Sequence, residues 1–164
     1  PMILTEEDAR LAVEACRYPL TGTRGVGPRR QIRYGAMPID EKYWEHARRE
    51  PLVILQIEHV KAVKNLDKIL QVPGVDSCLI GPYDLTCSMG KPGQFRDPEV
   101  IEVIDTICCK CRAAGKILGA YAESDYDLWA KRGIQFISAA NDTGILFKGL
   151  QQMRAKVESQ MEQA

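Results

Sequence analysis

Leu52-Val53-Ile54-Leu55-Gln56-Ile57-Glu58 is a nearly continuous apolar run of strand length that ends on a glutamate. A run with so little polar alternation is what a strand covered on both faces requires, as in a parallel sheet. The residues after it set Val60, Val63, Leu66, Ile69 and Leu70 along one side of a helix. Pro73-Gly74 ends that helix, and residues 75–80 form a second apolar segment of strand length. Strand, helix and strand in this order make a βαβ unit, whose crossover is right-handed.

The alternation continues in both directions. Downstream, residues 117–121 and 134–138 read as two more strands, with a short helix over 124–132 between them. Asp97-Pro98 starts a helix as cap and first-turn proline, Gly115 stops it, and a last helix runs from about Gly144 to Glu162. Upstream, Thr5 caps a helix whose first turn carries Glu6, Glu7 and Asp8, where the helix dipole favours acids. That helix reaches about Arg17 and gives way to a glycine-rich basic loop over 22–30, and another helix starts near Asp40. Four strands fit either a small doubly wound sheet or half of an eight-stranded (β/α) barrel. Pro1-Met2-Ile3 reads as the tail of a further strand, which favours the half-barrel. A whole barrel takes about 250 residues, so about 90 would lie upstream. The expectation is one domain over 1–164, a partial barrel without its first three strands.

Composition narrows the partners. With 45% hydrophobic and 27% charged residues the chain is globular, and 22 basic against 22 acidic residues leave no net charge. A balanced charge gives neither nucleic acid nor an anionic membrane a field to follow. No apolar run is long enough to span a bilayer, and no secretory signal opens the sequence, so a cytoplasmic protein is expected. Cys108 and Cys111 form a C-x-x-C pair, but it lacks the second pair or histidine that a zinc site needs. Reduced thiols on a cytosolic helix are expected there.

Two acids stand at equivalent places. Glu58 ends one strand and Asp84 lies just past the next, 26 residues on, in Gly81-Pro82-Tyr83-Asp84-Leu85. One repeat apart, both emerge at the C-terminal rim of the sheet, where α/β folds build their sites. Each acid alone is explained as a helix cap or a turn residue. Facing one another they repel unless a proton or cation sits between them, and two hard oxygen ligands suit Mg²⁺ or Mn²⁺.

These segments resemble the HpcH/HpaI aldolase family. Its Q-I-E motif matches Gln56-Ile57-Glu58, and its G-P-x-D-L-x-x-S-[ML]-G motif matches residues 81–90. Arg17-Tyr18-Pro19 through Arg24-Gly25-Val26-Gly27 is similar to the family's R-Y-P-P-x-G-x-R-G-V-G segment, and Asp142-Thr143 lies in a segment like its V-D-T-x-x-L. The resemblance implies a TIM barrel of the phosphoenolpyruvate/pyruvate superfamily, with this chain running from the end of strand 4 through strand 8 and the last helix. It implies that Glu58 and Asp84 hold a divalent metal, Mg²⁺ or Mn²⁺ with Co²⁺ as a further option. It also implies that Gln56 and Tyr83 contact substrate, Tyr83 through its backbone. Most relatives carry a small residue at that last position, so Tyr83 is a departure that reshapes the pocket.

The implied activity is cleavage of 4-hydroxy-2-oxoacids to pyruvate and an aldehyde through a metal-stabilised enolate. The family's His/Asp base and its Arg belong to the first three strands, upstream of this chain, so the isolated chain is expected to be inactive. His46 and His59 match neither. Each of the two reads as a helix-start or solvated histidine, and Arg24, Arg29, Arg30 and Arg33 as a solvated turn. The alternatives are a citrate lyase or malyl-CoA lyase-like enzyme, an oxaloacetate decarboxylase, or a non-catalytic structural module. The CoA branch usually has Glu where Tyr83 stands. The family resemblance further implies a homo-oligomer, trimer or hexamer, with the last helix packing on a neighbour.

Overall fold

Helices start where side chains can satisfy their first N–H groups, and three starts follow that rule closely. Thr5 accepts from the Asp8 N–H while the Asp8 carboxylate takes the Thr5 N–H at 2.8 Å, a reciprocal cap that opens α1 (Glu6–Cys16). Asp40 accepts from the Tyr43 N–H at 3.1 Å to open α2 (Glu41–Arg49). Asp97 accepts from Glu99 and Val100, with Pro98 in the first turn, to open α5 (Pro98–Ala113).

The computed structural model describes residues 1–162. Its sheet has four parallel strands in sequential order: β1 (Ile54–Ile57), β2 (Ser77–Ile80), β3 (Ile117–Tyr121) and β4 (Phe136–Ser138). The register aligns Ile57 with Ile80, Ile80 with Ala120 and Gly119 with Phe136. Between strands run α3 (Val60–Gln71), α4 (Pro82–Ser88), α5 and α6 (Tyr126–Ala130), and α7 (Asp142–Glu162) follows β4.

Alternate strand residues point to opposite faces. Leu55, Ile57, Cys78, Ile80, Leu118 and Ala120 join Leu66, Ile69, Val100, Ile104 and Ile107 of α3 and α5 in one buried core. The opposite face carries Ile54, Gln56, Leu79, Ile117 and Tyr121, and no helix among the described residues covers it: Ile54 is 44% exposed and Ile117 is 46% exposed. Gly119 lies on this open face beneath the Phe136 ring, where a Cβ would come within 2.3 Å of a ring carbon. A smaller separate cluster joins Tyr18, Ile32, Tyr43 and Ala47, with the two tyrosine hydroxyls 2.9 Å apart.

The α/β class and parallel sheet agree with the sequence reading, but three local readings need correction. Residues 1–3 are not in a strand; Met2 has φ of 54°, in the left-handed region. The Gly-Pro segment after β2 is a helix, α4, rather than a turn, because Pro82 at N1 fits a helix start. A 3-10 turn over Arg30–Gly35 lies just beyond the basic loop. Strands β1, β2 and β4 are shorter than their apolar runs; Val53, Val75 and Ile134 lie just before the paired residues, and the Val53 carbonyl still accepts the Ser77 N–H at 3.2 Å.

Candidate metal centre

Glu58 directly follows β1 and is only 2% exposed. Its Oε1 accepts the Met2 backbone N–H at 2.6 Å, and its Oε2 accepts the Gln56 Nε2–H at 2.6 Å. Gln56 and Glu58, two residues apart on one strand face, lie side by side as alternation requires. Among the described residues Glu58 has no ion-pair partner. Neutral donors offset part of the cost of burying a carboxylate, but a full charge in a dry site calls for a cation. Each carboxylate oxygen also keeps a lone pair to give.

The neighbouring strand is shaped around this side chain. Ile57 pairs with Ile80, and the Gly81 N–H bonds the Ile57 carbonyl at 3.3 Å, so Gly81 sits beside Glu58. A Cβ at position 81 would lie 2.3 Å from Glu58 Oε2 and 2.9 Å from Gln56 Nε2. Only glycine lets the carboxylate lie across the strand end.

Gly81 is also the N-cap of α4, which makes Asp84 the third residue of that helix, solvent-exposed and in its first turn. The dipole alone favours an acid there. What ties it to Glu58 is the way α4 is fastened. Leu85 and Thr86 are buried, and Ser88 Oγ accepts the Val60 N–H at 3.1 Å while donating to the Leu85 carbonyl at 2.7 Å. Ser88 therefore locks α4 to the start of α3, two residues beyond Glu58.

Two carboxylates and an amide at one rim, with neither Cys nor His among them, form a hard-oxygen donor set. No group of three or more His, Cys, Asp or Glu that could hold an ion occurs among the described residues. An ion bound by two acids would keep most of its positions for water or substrate, the habit of Mg²⁺ and Mn²⁺. By residue type alone, this donor set is of the kind such an ion takes.

The other predicted positions separate from this rim or qualify it. Gln56 uses one amide N–H on Glu58 and retains a second N–H and its carbonyl. Tyr83 is 59% exposed, its ring edge-on to Phe95 at 4.8 Å, and its carbonyl accepts the Thr86 hydroxyl at 2.8 Å. The Tyr83 N–H belongs to the first turn of α4, where no i−4 partner exists. His59 caps α3, its Nδ1 accepting the Lys61 N–H at 3.0 Å, and His46 lies exposed in the last turn of α2. The Arg24 guanidinium sits 4.7 Å over the Tyr18 ring, while Arg29, Arg30 and Arg33 are exposed. All six cysteines are free; burial pushes the Cys108 thiol up to about 11, which keeps it protonated.

Three features of the site had no reading in the sequence: the Met2 N–H on Glu58, the steric demand at Gly81, and a cavity of about 230 Å³ beside Tyr83. The first is a backbone donor and the third a tertiary meeting of distant segments, so neither leaves a local pattern. The second was accessible, since alternation puts Gln56 and Glu58 on one face and a glycine opposite them is a size signal.

A parallel α/β sheet with a buried and an open acid at its C-terminal rim is the frame on which comparison with known proteins turns. The model of the HpcH/HpaI aldolase/citrate lyase family matches residues 1–148, and the chain belongs to that family. It is 39% identical over 162 residues to a 4-hydroxy-2-oxo-heptane-1,7-dioate aldolase of Klebsiella pneumoniae, spanning 95% of this chain and 59% of that protein. A 2-keto-3-deoxy-L-rhamnonate aldolase of the same organism is 36% identical, over 99% of this chain and 61% of the relative. The crystal structure of an HpcH/HpaI aldolase/citrate lyase family protein from Burkholderia cenocepacia superposes with a TM-score of 0.81 at 29% identity, over 96% of this chain and 63% of that one. The chain thus spans less than two thirds of the length of the proteins it matches. No helix among the described residues is long and apolar enough to cross a membrane.

Proposed function

We propose that this chain is the metal-holding part of a divalent-metal-dependent aldolase, a carbon–carbon lyase that splits 4-hydroxy-2-oxoacids into pyruvate and an aldehyde. The observation that carries it is Glu58: a carboxylate 2% exposed, without a protein cation, at the rim of a parallel sheet beside the helix that presents Asp84. Glu58 and Asp84 would hold Mg²⁺ or Mn²⁺, with Co²⁺ able to substitute. Such a cation supplies Lewis-acid stabilisation for negative charge on a 2-oxo oxygen.

The chain's own residues prepare that rim. Gln56 and the Met2 N–H fix both oxygens of Glu58, so its carboxylate is oriented before anything binds. The free amide groups of Gln56 and the Tyr83 N–H are placed to hold the oxoacid end of a substrate. A base is still needed for the 4-hydroxyl proton. The roles found for His46 and His59 leave it to residues outside this chain, on the upstream strands of an eight-stranded barrel whose second half these four strands form. On this reading the single domain 1–164 works in the cytoplasm as part of a homo-oligomer. The exposed Ile145, Phe147, Leu150 and Met153 of α7 support a partner copy there. The named relatives differ in the tail of their oxoacid, dioate against deoxysugar acid, so the family leaves the aldehyde open.

The test is made on the full-length protein. Asp84→Ala and Glu58→Gln are each expected to lower Mg²⁺-dependent pyruvate release on the order of 10³-fold and to weaken Mn²⁺ binding seen by paramagnetic resonance. Unchanged release and unchanged Mn²⁺ binding in both variants would remove the metal role and the aldolase reading with it.

A further inference from the structure

The cavity of about 230 Å³ opens between the first turn of α4 and the segment after β3. Its walls are largely aromatic: Tyr83 and Phe95 meet edge-to-face, Tyr121 stands at the end of β3, and Trp129 is buried at 2% exposure. Its charged wall is acidic throughout, formed by Glu123 and Asp125.

Glu123 is held in place. The Tyr121 hydroxyl donates to its Oε1 at 2.5 Å, and the Asn141 amide reaches the same oxygen at 3.3 Å. The Tyr121 bond, then Lys148, keep the Glu123 carboxyl below the usual carboxylate range, so it is ionised at neutral pH. Two cations lie nearby. Lys148 is 3.4 Å from Glu123 Oε2 and 64% exposed, and Arg96 is committed to Asp125 and Asp127. Neither lines the cavity.

Tyr83 and Asp84 are consecutive in one helical turn. Asp84 itself does not line the hollow, but Tyr83, whose N–H is proposed to hold the oxoacid end, forms part of its wall. Aromatic faces pack on the C–H surface of a short polyol, and the Glu123 carboxylate and Tyr121 oxygen accept hydrogen bonds from its hydroxyls. A second carboxylate there would face like charge across a solvent-open rim, since the Glu123 side chain is 38% exposed.

We propose that this cavity seats the aldehyde-derived tail of the substrate, and that Glu123 selects tails that are neutral and hydroxylated over tails ending in a carboxylate. The inference rests on the aldolase reading of Glu58 and Asp84. Glu123 thereby sets specificity and takes no part in bond cleavage.

Pyruvate release by the full-length protein with Mg²⁺ is measured on three 4-hydroxy-2-oxoacids: one with a methyl tail, one with a neutral dihydroxylated tail, and one of matched length ending in a carboxylate. The unaltered protein should favour the neutral over the acidic tail by about tenfold or more in kcat/KM. Glu123→Gln should shrink that ratio, and Glu123→Arg should invert it. If Glu123→Arg is not recovered folded, the unaltered protein and Glu123→Gln decide the matter. Equal or better cleavage of the acidic tail by the unaltered protein overturns the proposal, as does an unchanged ratio in Glu123→Gln. Release from none of the three overturns the aldolase reading itself.

Discussion

The two faces of the sheet differ as a core differs from a working surface. On the helix-covered face Leu55, Ile57, Cys78, Ile80, Leu118 and Ala120 are buried against α3 and α5. On the other face the same strands present Ile54 and Ile117 half exposed, and the polar row Gln56, Glu58 and Tyr121. One face is filled with aliphatic side chains that stabilise by leaving water. The other spends strand positions on groups that cost stability to bury, and the candidate site lies at its rim. Stability and chemistry are thus separated by the two-residue period of a strand.

The largest expected effect tests that separation directly. Ile80→Ala should cost about 2 to 5 kcal/mol, because the cavity it leaves is enclosed by packed helices. Ile54→Ala should cost less than about 1 kcal/mol in the 164-residue chain, where its side chain already meets water. Denaturant unfolding of both variants measures the difference, and equal costs would break the comparison. The same pair sharpens the half-barrel proposal. If further strands close the sheet in the full-length protein, Ile54 becomes interior there and Ile54→Ala should become several times costlier.

The helix-covered face was largely legible in the sequence, the open face only in part. Apolar runs ending at Glu58 and Ile80, the 3.6-residue stripe from Val60 to Leu70 and the Asp97-Pro98 start are local signals of elements that bury one side. The capping residues Thr5 and Asp97, and a helix start near Asp40, were found for the same reason. Glu58 and Asp84 could be paired because one βαβ repeat brings equivalent positions to one rim. α4 escaped because it is a seven-residue helix, too short to show a period, and opens with the Gly-Pro that usually marks a turn. The cavity wall of Tyr121, Glu123 and Phe95 escaped because it forms only when two crossover segments meet. The length of α7 was visible, but nothing local told that none of its residues would be buried within the chain's described residues.

Gly81 lies where the two faces meet, and replacing it gives the next effect in size. In Gly81→Ala the new methyl must displace the Glu58 carboxylate or shift the strand end, at about 1 to 3 kcal/mol. Mn²⁺ affinity of the full-length protein should fall with it. Gly25→Ala, whose Cβ meets nothing within 4 Å, is the control and should change neither. A Gly81→Ala protein with native stability and native Mn²⁺ affinity would show that Glu58 does not need the space the strand leaves for it.

The smallest effect concerns how the helices behind and beside the site are sealed. Behind the sheet, α5 begins on Asp97, whose carboxylate caps two N–H groups and also takes the Lys91 ammonium at 2.7 Å. At the rim, α4 begins on Gly81 with no side-chain cap. Lys91 first, then the capping N–H groups, hold the Asp97 carboxyl below its ordinary value of 3.8. A depressed folded-state carboxyl gives stability that is present above the ordinary carboxylate range and lost as pH falls through the lowered value. The thermal midpoint should therefore decline on acidification, and Asp97→Asn, which keeps a cap but not the charge, should flatten that decline slightly. An acid limb unchanged in Asp97→Asn would mean that the Lys91–Asp97 contact at the start of α5 carries none of the pH-sensitive part of the fold's stability.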